Sequence, residues 1–132
     1  MIKVKDILSR LRKTYSVTSK AKLLLKVNGT AKKYQLNGLY YGTLENGITF
    51  VAVHNLSEEK NLLVTDFIKQ LMVDTSMWNE NSVLIYDNSV ECNPILDVKM
   101  TTSSVTLIVD DICKDIVRAR YQGGNRYDNS IY

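Results

Sequence analysis

Apolar positions along this chain fall into two series that follow the same order. Val4, Ile7, Leu8 and Leu11 recur at helical spacing and predict a short helix over residues 5–14. Asp6 in its first turn and Arg10, Arg12 and Lys13 in its last match the sign of the helix dipole. The apolar run Lys22–Val27 is too short for a helix and predicts a buried strand. Asn28-Gly29 then predicts a type I′ turn, in which both central residues have positive φ, and Thr30–Leu36 is the expected return strand. Leu39–Leu44, Glu45-Asn46-Gly47 and Ile48–His54 predict a second hairpin.

The second series begins after the polar stretch Asn55–Asn61. Val64, Phe67, Ile68 and Leu71 mark a helix face, with Thr65 and Asp66 as capping candidates. Ser82–Tyr86 predicts a buried strand, Asp87-Asn88 a turn, and Val90–Cys92 a short return that Asn93-Pro94 interrupts. Ile95–Met100 and Val105–Val109 predict the last hairpin around Thr101–Ser104. Ile2–Gly29 laid over Leu62–Ser89 without a gap matches Val4, Asp6, Leu11, Ser16, Leu24 and Asn28 to identical residues. With a three-residue gap, Ile48–Ala52 falls on Val105–Val109.

The expectation is an α+β protein of two pseudo-symmetric β-α-β-β-β-β modules, residues 1–56 and 57–111. Each would be an antiparallel sheet with one helix on a face, the pair docked as one compact unit. Asp110-Asp111 would cap a short helix over 112–122, followed by a flexible, glycine-rich tail over 123–132.

At 132 residues, 45% apolar and 23% charged, the chain can bury a core. No apolar run approaches the roughly 18 residues of a membrane span, and the N-terminus has no signal-peptide pattern. Cys92 and Cys113 fit neither a disulfide framework nor a metal motif, so they are read as small buried hydrophobes. A cytoplasmic protein without membrane contact is expected.

Charge separates the halves. Residues 1–56 hold ten Lys or Arg against two acids, and residues 57–132 hold seven against twelve. Arg10, Arg12, Lys13, Lys20, Lys22, Lys26, Lys32 and Lys33 are therefore candidates for an anion or nucleic-acid surface. Tyr15, Tyr34, Tyr40 and Tyr41 could offer stacking rings beside them. Asp66, Asp74, Glu80, Asp87, Glu91 and Asp97 are candidates for an acidic face toward a basic partner. Complementary charge could instead dock one half on the other, or one chain on the next.

No catalytic set emerges. His54 is the only histidine; beside Val51 and Val53 it reads as a structural residue, and its match in the second half is Asp111. Asp110, Asp111 and Asp115 are a weak metal candidate, better read as a helix start. There is no phosphate-binding glycine motif. No enzyme activity, catalytic residue, metal or cofactor is expected. Trp78, between helix and strand, is expected to fold back over the core.

Residues 64–107 resemble a short module found in accessory proteins of phages and other mobile elements. The resemblance lies in Val64-x-Asp66-Phe67-Ile68-x-x-Leu71, Ser82–Tyr86, Glu91-x-x-Pro94-Ile95-x-x-Val98 and Val105-x-Leu107. The first half departs from it at Tyr34–Gly38. The resemblance implies a fold and a class, small proteins that bind something in a host cell, and carries no active site.

Together with the charge pattern, it implies an inhibitor-like protein of the anti-defence, anti-CRISPR kind. Such a protein would block a host protein that handles nucleic acid, as a monomer or homodimer. The alternatives are a DNA- or RNA-binding module using the basic half, and a self-assembling structural subunit.

Overall fold

A computed structural model of the protein describes residues 1–57 and 60–110 and the backbone of 119–121. Along these residues run α1 (Val4–Thr14), β1 (Lys22–Val27), β2 (Lys33–Gln35), β3 (Gly38–Leu44) and β4 (Thr49–His54). They are followed by α2 (Val64–Val73), β5 (Val83–Asp87), β6 (Cys92–Pro94), β7 (Asp97–Met100), β8 (Ser104–Val109) and β9 (Ala119–Tyr121). The fold is α+β, as the apolar periods predict, and the four expected hairpin pairings all form. Ala119–Tyr121 pairs with β3 as a strand, where a helix was expected. The rest of 111–132, including Cys113, Asp111, Asp115 and the tail, lies outside the described residues.

The sheets depart from expectation. Neither half keeps a sheet of its own. One sheet has the order β2-β1-β8-β7 and the other β6-β5-β4-β3-β9. Both are mixed rather than antiparallel, because β1 runs parallel to β8 and β4 parallel to β5.

The cause is a corner in each half. The Leu36 N–H donates to the Leu23 carbonyl at 3.2 Å, extending the β1–β2 ladder, and the next N–H, of Asn37, donates to His54 in the other sheet at 2.9 Å. Ile95 and Leu96 repeat this, donating to Leu84 at 3.2 Å and to Ile108 at 2.8 Å. The strand thus changes sheets between two consecutive residues. Leu36 and Ile95 are fully buried at these corners.

Both helix starts are tied across the halves as well. The Val4 N–H donates to Ser82 and the Val64 N–H to Ala21, each at 2.9 Å. Asp66 reaches back to accept the Leu63 N–H at 2.8 Å, so the expected cap forms. One core takes Val4, Ile7 and Leu11 from α1, Val64, Phe67 and Leu71 from α2, and one face of each sheet. A second cluster, with Tyr40, Phe50, Ala52, Val83 and Ile85, lies on the opposite face of the five-stranded sheet.

The Asn28-Gly29 turn is not type I′, since only Gly29, at φ +86°, is left-handed. The Asn28 N–H donates to Val109 at 2.7 Å, extending the β1–β8 ladder, and this pairing keeps Asn28 on the strand. At Glu45-Asn46-Gly47, Gly47 has φ +89° and its N–H donates to Leu44, the three-residue form of a hairpin loop.

Gly38 faces His54 across the β3–β4 ladder, and a Cβ there would lie 2.5 Å from His54 Nε2. Gly38→Ala should therefore lower unfolding free energy by about 1–3 kcal/mol, read by urea denaturation. An unchanged midpoint would mean that the imidazole does not occupy this space.

Candidate functional site

Strand alternation sorts the side chains of the four-stranded sheet. Leu23, Leu25, Val98, Val105, Leu107 and Val109 enter the core. Their sequence neighbours therefore point outward. Register then places these neighbours in rows. Lys33, Lys26, Ile108 and Asp97 form one row across β2, β1, β8 and β7. Gln35, Leu24, Thr106 and Lys99 form the next, and Lys22 and Ser104 lie beyond.

The outer face thus carries four lysines and one aspartate. Lys22, Lys33 and Lys99 are exposed and Lys26 is half-buried. Lys26 and Lys33 sit directly opposite each other on neighbouring strands, a like-charge placement that weakens a sheet when nothing neutralises it. Asp97 is two strands from Lys26, with backbones roughly 10 Å apart by strand spacing. None of the four lysines lies in an ion pair among the described residues.

The eight basic candidates therefore do not form one patch. Lys22, Lys26 and Lys33 share the outer sheet face, which gains Lys99 from the acidic half. Arg10, Arg12 and Lys13 are exposed on α1, across the core from that face. Lys20 is exposed in the loop before β1. Lys32 is exposed before β2 and lies over the Tyr34 ring at 5.0 Å. Charge counting could not find this split, because it follows from which strand residues alternate outward.

Of the four tyrosines, only Tyr34 is exposed, at 40%. Tyr15 is buried and donates to the Thr101 carbonyl at 2.6 Å. Burial raises its pKa, the bond to Thr101 acting in the opposite direction. Tyr41 donates to Asp74 at 2.6 Å, and burial, with the adjacent carboxylate, pushes its hydroxyl pKa far up. Three of the four rings are thus closed to stacking.

The acidic candidates are not gathered either. Asp66 caps α2. Asp74 accepts from both Tyr41 and Gln70. Asp87 is 1% exposed and accepts from Tyr40 at 2.6 Å and from the Ser89 N–H at 2.7 Å. Glu80, Glu91 and Asp97 are exposed, Asp97 accepting the Val98 N–H, and they lie on separate elements. The geometry offers no continuous acidic face among the described residues.

A buried polar cluster went unread in the sequence. Tyr40, His54, Asp87 and Cys92 meet on the outer side of the five-stranded sheet, with the Tyr40 and His54 rings 6.0 Å apart and the Tyr40 hydroxyl 3.8 Å from Cys92 Sγ. The only sequence signal was that His54 and Asp87 close apolar strand runs. His54 is 4% exposed and its Nδ1 accepts the Leu56 N–H at 3.2 Å, which agrees with a structural role. Burial, followed by the Asp87 charge, pushes the Cys92 thiol up to about 12, so it is no thiolate nucleophile at neutral pH.

Trp78 folds back as expected, its Nε1 donating to the Leu71 carbonyl at 2.9 Å. No cluster of potential metal ligands occurs among the described residues. No helix of the described residues is long and apolar enough to cross a membrane. Comparison with family models, curated proteins and solved structures finds no match to this chain.

The Cys92 environment has a readable consequence. In a Cys113→Ser background, Cys92 should react with iodoacetamide at pH 8 at least about tenfold more slowly than free cysteine. The proton is held more tightly in the folded state. The associated stability is present below the ordinary pKa of 9.0 and is lost as pH rises through about 12. Urea midpoints should fall over that window, and fall less in Cys92→Ala; alkylation at the rate of free cysteine would contradict the burial.

Proposed function

We propose that this protein acts by binding rather than by chemistry, and that the lysine-bearing outer face of the four-stranded sheet takes a polyanion, namely a nucleic-acid backbone. The observation that carries this is the Lys26–Lys33 pair. It sits side by side in register and, among the described residues, neither lysine lies in an ion pair; a bound phosphate would relieve the repulsion. Lys22 and Lys99 extend the same face along and across the strands.

Further support comes from the way the two halves correspond. The paired contacts made by Leu36 and Ile95, Asn37 and Leu96, and Val4 and Val64 have the same form with the halves exchanged. They make Leu23 the counterpart of Leu84, one residue along from the gapless alignment, and His54 the counterpart of Ile108, not of Asp111. We take the halves as copies of one module whose strands are exchanged between the sheets.

On that correspondence, Lys22, Lys26, Lys33 and Lys99 stand where the other sheet has Val83, Asp87, Cys92 and Tyr40. The scaffold therefore does not require lysine at these positions. The outer face of the five-stranded sheet is buried core, whereas that of the four-stranded sheet carries these lysines around the buried Thr106 and Ile108.

A protein of phage or mobile-element type that interferes with nucleic-acid handling could use such a face to occupy the nucleic acid itself. The acidic-decoy version needs carboxylates on one surface, and Asp66, Asp74 and Asp87 are committed to caps and internal hydrogen bonds. The geometry therefore favours the nucleic-acid-binding alternative over the decoy.

Anisotropy of labelled single- and double-stranded oligonucleotides tests this. With three to four phosphates neutralised, affinity should fall roughly 40- to 150-fold on duplex and roughly 20- to 50-fold on single strands between 50 and 200 mM salt. The double variant Lys26→Glu/Lys33→Glu should abolish most of the binding, and the triple variant Arg10→Glu/Arg12→Glu/Lys13→Glu should spare it. Absence of binding at low salt, or loss only in the α1 variant, would overturn the assignment.

A further inference from the structure

We propose that the groove between α1 and α2 is a docking site for an acidic amphipathic helix of a protein partner. The groove has a volume of about 430 Å³; Arg12, Tyr15 and Val17 line one side and Ile68, Lys69 and Met72 the other. It concentrates apolar surface that a helix facing only water would not carry. Met72 is 44% exposed, Val73, which also borders the groove, 78% and Val17 91%. Ile68 and Met72 are one turn apart on α2. They widen the buried stripe of Phe67 and Leu71 toward solvent instead of giving way to polar residues.

The chemistry of the walls selects the occupant. Arg12 and Lys69 stand on opposite sides, and no carboxylate lines the groove. Asp74, at the end of α2, is bound by Tyr41 and Gln70. An apolar floor between two cations matches a helix with apolar anchors on one face and carboxylates flanking them. Met72, unbranched and polarizable, can adapt to the anchor. Tyr15 is held in the floor by its bond to Thr101, so the floor is largely formed before any partner arrives. None of the lysines of the sheet face is among the residues that line the groove, so the two surfaces share no residue.

The probe is a labelled synthetic helical peptide of about 16 residues with Leu and Phe at i, i+4, i+7 spacing and Glu on both flanks. Two comparison peptides are a scrambled sequence of the same composition and one with Lys in place of Glu. Anisotropy should show the acidic amphipathic peptide binding at least tenfold more tightly than either comparison. Met72→Glu, and separately Arg12→Glu/Lys69→Glu, should weaken it at least tenfold, while Lys26→Glu/Lys33→Glu leaves it unchanged. Met72 is exposed enough for its variant to fold, which circular dichroism checks.

Equal binding of the scrambled peptide would reduce the site to bulk charge, and equal binding of the Lys peptide to bare hydrophobicity. Either result overturns the proposal. So does an unaffected Met72→Glu variant, or a chain dimer that Met72→Glu dissociates, which would make a second copy the occupant.

Discussion

Everything in this fold depends on the two corners where a strand leaves one sheet and enters the other. At Leu36–Asn37 and at Ile95–Leu96, consecutive N–H groups bond into different sheets while the corner side chain is fully buried. That leaves the β1–β2 hairpin beside β8 and β7, and the β3–β4 hairpin beside β5 and β6. Each half therefore lacks neighbours for its own inner strands until the other supplies them. The parallel pairing β1–β8 joins residues 82 apart and β4–β5 joins residues 33 apart, and closing such loops is entropically costly until the core forms. Stability and the shape of the outer faces are consequently properties of both halves together.

The same interlock sets which side chains reach solvent. With both helices and one face of each sheet consumed by a shared core, the molecule has unlike outer faces. The five-stranded sheet covers its outer side with Phe50, Ile85 and their neighbours around a buried Tyr40–Asp87 bond. The four-stranded sheet instead presents lysines in register. The helix side presents cations around an apolar groove.

Local structure was legible in the sequence because local chemistry decides it. The spacing of Val4, Ile7, Leu8 and Leu11, the Asp66 cap, the glycines at Gly29 and Gly47 and the four hairpins are each set within a few residues. Sheet membership was not legible. Leu36 and Asn37 look like an ordinary strand end, and nothing within a few residues says that the next hydrogen bond lies in another sheet.

The site was half legible for the same reason. Counting charge found Lys22, Lys26 and Lys33, but it merged them with Arg10, Arg12 and Lys13 across the core and left out Lys99. Tyr15, Tyr40 and Tyr41 looked like stacking rings because their partners Thr101, Asp87 and Asp74 are distant in sequence.

The most direct test of the central claim, that strand exchange builds one polyanion-binding sheet face, is an amide chemical-shift map of the full chain titrated with an oligonucleotide at low salt. Shifts confined to β1, β2, β7 and β8, with Lys22, Lys26, Lys33 and Lys99 moving together, are the predicted result. Shifts centred on Arg10, Arg12 and Lys13 of α1, or no shifts at all, would contradict it.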